Sequence, residues 1–126
     1  MRKVLTKLLT FLALTLGAPS FLSAAELVMI DARACTYCAR FRAEVAPIYD
    51  TTAAGQIAPL RPVSPLKAWP EDLAGVRPAR FAPVFILVEN GSEVGRFAGY
   101  TNRKHFWEQL WPLIVRLQQS EALFIY

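Results

Sequence analysis

The chain has 126 residues, 54% of them hydrophobic, with 14 basic and 10 acidic side chains and a formal net charge of +4. That length suits one domain once any leader is removed. Arg2, Lys3 and Lys7 supply most of the excess and the remaining arginines are spread out, whereas a nucleic-acid binder needs a concentrated basic face to displace phosphate counterions, so no nucleic-acid partner is expected.

The first 25 residues read as a secretory signal peptide. MRKVLTK gives a positive start, LLTFLALTLGA an uncharged apolar run, and Pro19 and Ser20 break it before Ser23, Ala24 and Ala25. A signal peptidase needs small side chains three and one residues before its cut. Ser23 and Ala25 meet that need, so the mature chain is expected to start at Glu26. An uncleaved anchor is the alternative, but residues 8–18 are short for a span, which needs about 20. The mature domain is then 26–126, exported to an oxidising compartment where disulfides form and persist.

Leu27–Ala32 is apolar and suits one buried strand. From Cys38 to about Asp50 the period changes: Phe41, Val45 and Ile48 or Tyr49 recur at helical spacing among charged residues. Pro47 should kink this helix and Gly55 is expected to stop it. Ile57–Val63 suits a strand with irregular ends, since it holds two prolines. Residues 64–80 are hard to read beyond a short helix opened by Pro70-Glu71-Asp72 and ended by Gly75 and Pro78. Val84–Glu89 is strongly β-prone, Asn90-Gly91 is a favoured hairpin turn, and Glu93–Ala98 is the return strand. Asn102 caps a final helix whose apolar stripe is Phe106, Leu110, Leu113, Ile114 and Leu117, with a kink expected at Pro112.

Chemistry points to Cys35-Thr36-Tyr37-Cys38, between the first strand and the first long helix. A helix N-terminus has unpaired N–H groups and a positive dipole end, which favour a thiolate. Thiolate is the nucleophile of disulfide exchange. Cys35 is therefore the expected attacking thiol, and Cys38, one turn on, the resolving thiol. A pair this close closes too small a loop to constrain the unfolded chain much, which argues against a structural staple. Zinc would need about four ligands; beyond the cysteines there are His105 and carboxylates, so no metal is expected. A c-type haem would need histidine after the second cysteine, where Ala39 stands. An inert disulfide or buried thiol pair remains the alternative.

Taken with a second landmark, this order resembles the thioredoxin superfamily from Leu27 to Leu117. In that family a cis-proline precedes the third central strand, with glycines eight and sixteen residues later; here Pro83, Gly91 and Gly99 stand in that register. The resemblance implies a short α/β thioredoxin-like fold, a central mixed sheet of about four strands flanked by helices. It implies a cis Pro83 that keeps metals off the dithiol, and a backbone at Ala82 that meets an incoming disulfide strand, with Thr36 and Tyr37 completing the substrate contact. The chain departs from the family in three places: Ala34 replaces tryptophan, Thr36-Tyr37 replaces Gly-Pro, and Met29 occupies the place of a buried aspartate. That last change leaves the proton acceptor unassigned, with Asp31 and Glu44 the nearest carboxylates in sequence.

Glu44-Val45-Ala46-Pro47-Ile48-Tyr49 is similar to the helix ending of small periplasmic thioredoxin-like proteins that accompany bacterial sulfur-oxidation systems. That resemblance implies a monomeric periplasmic reductase. It would keep a partner protein's cysteine reduced, need no cofactor, and draw electrons from a membrane thiol transporter. Two other functions compete. Tyr37 resembles the tyrosine of some isomerase motifs, which raises an oxidant or isomerase, although residues 26–126 leave no room for the usual dimerisation domain. A non-catalytic binding or regulatory module is the third reading, with Trp69, Trp107, Trp111 and the tail 123–126 as sticky surface or core cover. The reduction potential separates them.

Overall fold

In the computed structural model, residues 25–123 are described. The expected leader, all but its last residue, and residues 124–126 of the apolar tail lie outside them. Strand β1 (Ala25–Ile30) begins one residue before the expected mature terminus and ends two residues earlier than its apolar run. Its side chains alternate between two cores: Leu27 and Met29 enter one, Val28 and Ile30 the other, all buried.

Helix α1 (Thr36–Glu44) follows, then a break at Val45 and a short helix α2 (Ala46–Tyr49). Pro47 causes the break. Without an N–H it cannot continue the ladder of α1, whereas the first turn of a new helix needs no donor there. Gly55 is not a stop, contrary to expectation. It lies inside helix α3 (Ala53–Ile57), capped by Thr52, whose hydroxyl accepts from the Gly55 N–H at 3.1 Å. A Cβ at Gly55 would sit 2.0 Å from the backbone oxygen of Tyr49, so the glycine serves a close helix-to-helix approach. Tyr49 is itself buried, its hydroxyl donating to the Ala58 carbonyl at 2.8 Å.

Because α3 takes Ile57, strand β2 is only Leu60–Val63. It pairs parallel with β1, Leu27 opposite Leu60 and Ile30 opposite Val63. β2 is an outer strand, which is where Pro62 is tolerated. Residues 64–83 then cross the sheet with one 3-10 turn, Glu71–Leu73, for which Pro70 is the cap rather than the first helical residue. Strand β3 (Val84–Glu89) is antiparallel to β1, and β4 (Ser92–Ala98) is antiparallel to β3 through an Asn90-Gly91 turn at positive φ. The sheet order is β2-β1-β3-β4. Helix α4 (Arg103–Leu123) is capped by Asn102, whose side chain accepts from the His105 N–H at 2.9 Å. It runs through Pro112 as one element, and all five residues of the expected stripe are buried.

The four-stranded mixed sheet flanked by helices is the thioredoxin-like architecture. Its two faces are covered differently. Phe85, Leu87, Phe41 and the stripe of α4 fill one core, centred on Phe106, whose ring lies 5.0–5.7 Å from those of Phe41, Phe85, Phe97 and Trp107. The other face is covered by Leu73, Val76 and Ala79 from the crossing segment. Arg61 clamps that segment, bonding Glu26 of β1 at 2.8 Å and both carboxylate oxygens of Asp72 at 2.6 and 3.0 Å.

Candidate active site

Cys35 is the N-cap residue of α1. Its backbone is extended (φ −99°, ψ 108°), and its sulfur accepts from the Cys38 N–H at 3.1 Å. Sulfur thus takes the place an oxygen has in an ordinary cap, using one of the four donors a helix start leaves open. The two cysteines form a disulfide with Cα atoms 5.2 Å apart. They differ in surroundings: Cys38 is fully buried within the larger core, while Cys35 packs against that core and remains partly exposed. Thr36 and Tyr37 are exposed, Tyr37 by 57%.

Sheet register brings the second landmark to the same end of the molecule. Ile30, which leads into the cysteine loop, lies opposite Val84, so Ala82 and Pro83 sit beside that loop. The Ala82–Pro83 bond is cis. Pro83 is buried, and its carbonyl accepts from the Gly99 N–H at 2.8 Å. Gly99 has φ +84°, a left-handed conformation that costs other residues energy. Ala82 is half-buried, and its N–H and C=O bond no backbone group among the described residues. Just before it, Phe81 is 62% exposed.

Met29 is buried in the same core as Cys38, and no carboxylate is buried among the described residues. Asp31 lies past the end of β1 and is ion-paired to Arg42 of α1. Glu44, at the far end of α1, accepts from the Tyr100 hydroxyl and from Arg40, and its backbone oxygen accepts from Arg103 at 3.1 Å. The Tyr100 hydrogen bond, aided by the two arginines and opposed by desolvation, holds the Glu44 carboxyl below the usual range. Burial, and then the same bond to Glu44, pushes the Tyr100 phenol up to about 12. Arg40 also stands over the Tyr100 ring, 5.7 Å from its centre. This cluster joins positions 56 apart in sequence, so local spacing carried no sign of it.

No family model matches the chain, and no curated protein does. Among solved structures it is similar to the periplasmic thioredoxin SoxS from Paracoccus pantotrophus, crystallised in its reduced form. The two are 36% identical, with a TM-score of 0.70 over 74% of this chain and 98% of that one.

Proposed function

Since this chain belongs to the thioredoxin superfamily, we propose that it is a periplasmic reductase of protein disulfides, with Cys35 attacking and Cys38 resolving. The observation that carries the reading is Cys35 as the sulfur cap of α1, with an N–H donated to that sulfur. In the dithiol form a thiolate there receives a charge-assisted hydrogen bond and the helix dipole. The Cys35 thiolate attacks one sulfur of the substrate disulfide; a mixed disulfide forms and the substrate's other sulfur departs as thiolate. Cys38, after losing its proton, attacks the Cys35 sulfur and releases the second substrate thiolate. Two electrons have passed to the substrate, and Cys35–Cys38 is left as the disulfide. A second dithiol, in this reading a membrane thiol transporter, returns the pair to the reduced form by the reverse exchange.

Ala82 supports substrate pairing, because its free backbone groups beside the cysteine loop suit an incoming strand. Binding through main-chain bonds tolerates varied side chains. Pro83, Thr36 and Tyr37 border the same place. Export by a cleaved leader ending at Ala25, and service to a sulfur-oxidation system, belong to this proposal, and the periplasmic relative supports its location. The test is the equilibrium potential of the cysteine pair against glutathione and dithiothreitol buffers. A reductase requires a value below about −200 mV. A value near about −120 mV would make the protein an oxidant instead, and no redox transition would leave a binding module.

A further inference from the structure

A groove of about 680 Å³ opens on the sheet face opposite α1 and α4, between the segment leading to Ala82 and the outer strand β4. Pro78, Phe81 and Val84 give it an apolar wall, and Arg77, Arg80 and Arg96 are the charged residues lining it; no acid does. The Arg96 guanidinium donates to the Arg77 carbonyl at 2.7 Å, fixing the segment to β4, and its charge is met by Glu93 outside the groove. Arg77 and Arg80 pair with no acid among the described residues. The groove therefore holds two uncompensated cations beside an exposed aromatic ring. It also starts where the site stops: Phe81 precedes Ala82, and Ala98 precedes the Gly99 that holds Pro83.

We propose that this groove selects substrates whose extended chain beside the reactive cysteine carries acidic side chains and an apolar residue. The proposal rests on the reductase reading for the cysteine pair and adds the substrate class. A strand paired at Ala82 that runs on past Phe81 reaches the groove. Its apolar side chain covers the Phe81 ring and its carboxylates approach Arg77 and Arg80, which offer planar, multi-donor partners for them. Both arginines are exposed, so the preference is modest and salt-sensitive.

The experiment compares reduced protein on peptide disulfides that differ only in whether glutamate, glutamine or lysine flanks the cysteine. The glutamate peptide should react about fivefold faster than the lysine peptide at low salt, with the gap closing as salt is added. Arg80→Gln should shrink the ratio, and Arg77→Glu/Arg80→Glu should invert it, an outcome that a structural role for these residues would not produce. Lys104→Gln, the same charge change on the exposed start of α4, should leave the ratio intact. Equal rates for the three peptides, or a ratio that follows Lys104→Gln as much as Arg80→Gln, would overturn the groove. If no peptide disulfide is reduced, the reductase reading falls on its own. Cysteine-free versions then decide the groove through backbone amide shifts: shifts at residues 77–81 and 96–98 with the glutamate peptide uphold it, and none removes it.

Discussion

Replacing Phe41 with alanine tests whether the active-site helix is seated as described. Phe41 lies one turn beyond Cys38, has no exposed surface, and contacts three rings: Phe85 at 4.7 Å, Phe106 at 5.0 Å and Tyr100 at 5.6 Å. Truncating a buried phenylalanine costs about 3–5 kcal/mol, from lost transfer energy plus the cavity left behind. The upper half of that range applies, because tilted ring pairs add attraction beyond buried area, and β1 and β3 beneath them cannot collapse into the gap. A domain of this size has roughly 5–15 kcal/mol of stability in all. The variant should therefore unfold at least about 16 °C lower, at about 4–8 °C per kcal/mol. Urea titration of the oxidised protein, followed by tryptophan fluorescence, should show a lower midpoint with an unchanged slope; Trp107, stacked on Tyr49 at 6.0 Å, reports the same core. Arg42→Ala, next along the chain, removes only a surface ion pair with Asp31 and should cost at most about 1 kcal/mol. A Phe41→Ala cost below that of Arg42→Ala would refute the seating of α1 on this aromatic core.

Three further outcomes follow. In the reduced protein Cys35 should alkylate faster than fully buried Cys38, and Cys38→Ser should accumulate a long-lived mixed disulfide through Cys35; equal alkylation rates, or equal trapping by Cys35→Ser, would reverse or void the two roles. The depressed Glu44 carboxyl contributes stability that is present above its ordinary value of 4.5 and lost as pH falls through the lower folded value. Wild type should thus lose more stability than Tyr100→Phe on acidification below that point, whereas parallel urea midpoints for the two would mean the Tyr100–Glu44 bond does not form. N-terminal sequencing of exported material should begin at Glu26, while a full-length species retained in membranes would point to an anchor.

What could be read from the sequence was what is encoded locally. Phe106, Leu110, Leu113, Ile114 and Leu117 repeat at helical spacing, so their shared buried face follows from the helix period alone. Asn90-Gly91 tolerates positive φ, so the turn and both strands beside it were legible. The chemical half of the candidate site is of this kind, because a cysteine at a helix start gains its hydrogen bond from a residue three positions on. Tertiary contacts were not legible. Gly55 read as a helix stop because nothing near it in sequence reveals that the Tyr49 carbonyl approaches where a side chain would stand. Residues 64–80 had no period because they are not held by a repeating ladder; Trp69 bonding the Leu73 carbonyl, the Arg61 fork and three buried side chains hold them instead. The groove shares that origin: Arg96 comes from β4 and Arg77 from the crossing segment, 19 positions apart, and the bond that unites them exists only after the sheet forms. On the proposed reading, exchange chemistry sits in the four contiguous residues Cys35–Cys38, while the surface beside Ala82 is assembled from separate segments. On this division, substitutions at Arg77 and Arg80 should change which disulfides react, and substitutions at Cys35 and Cys38 whether any do.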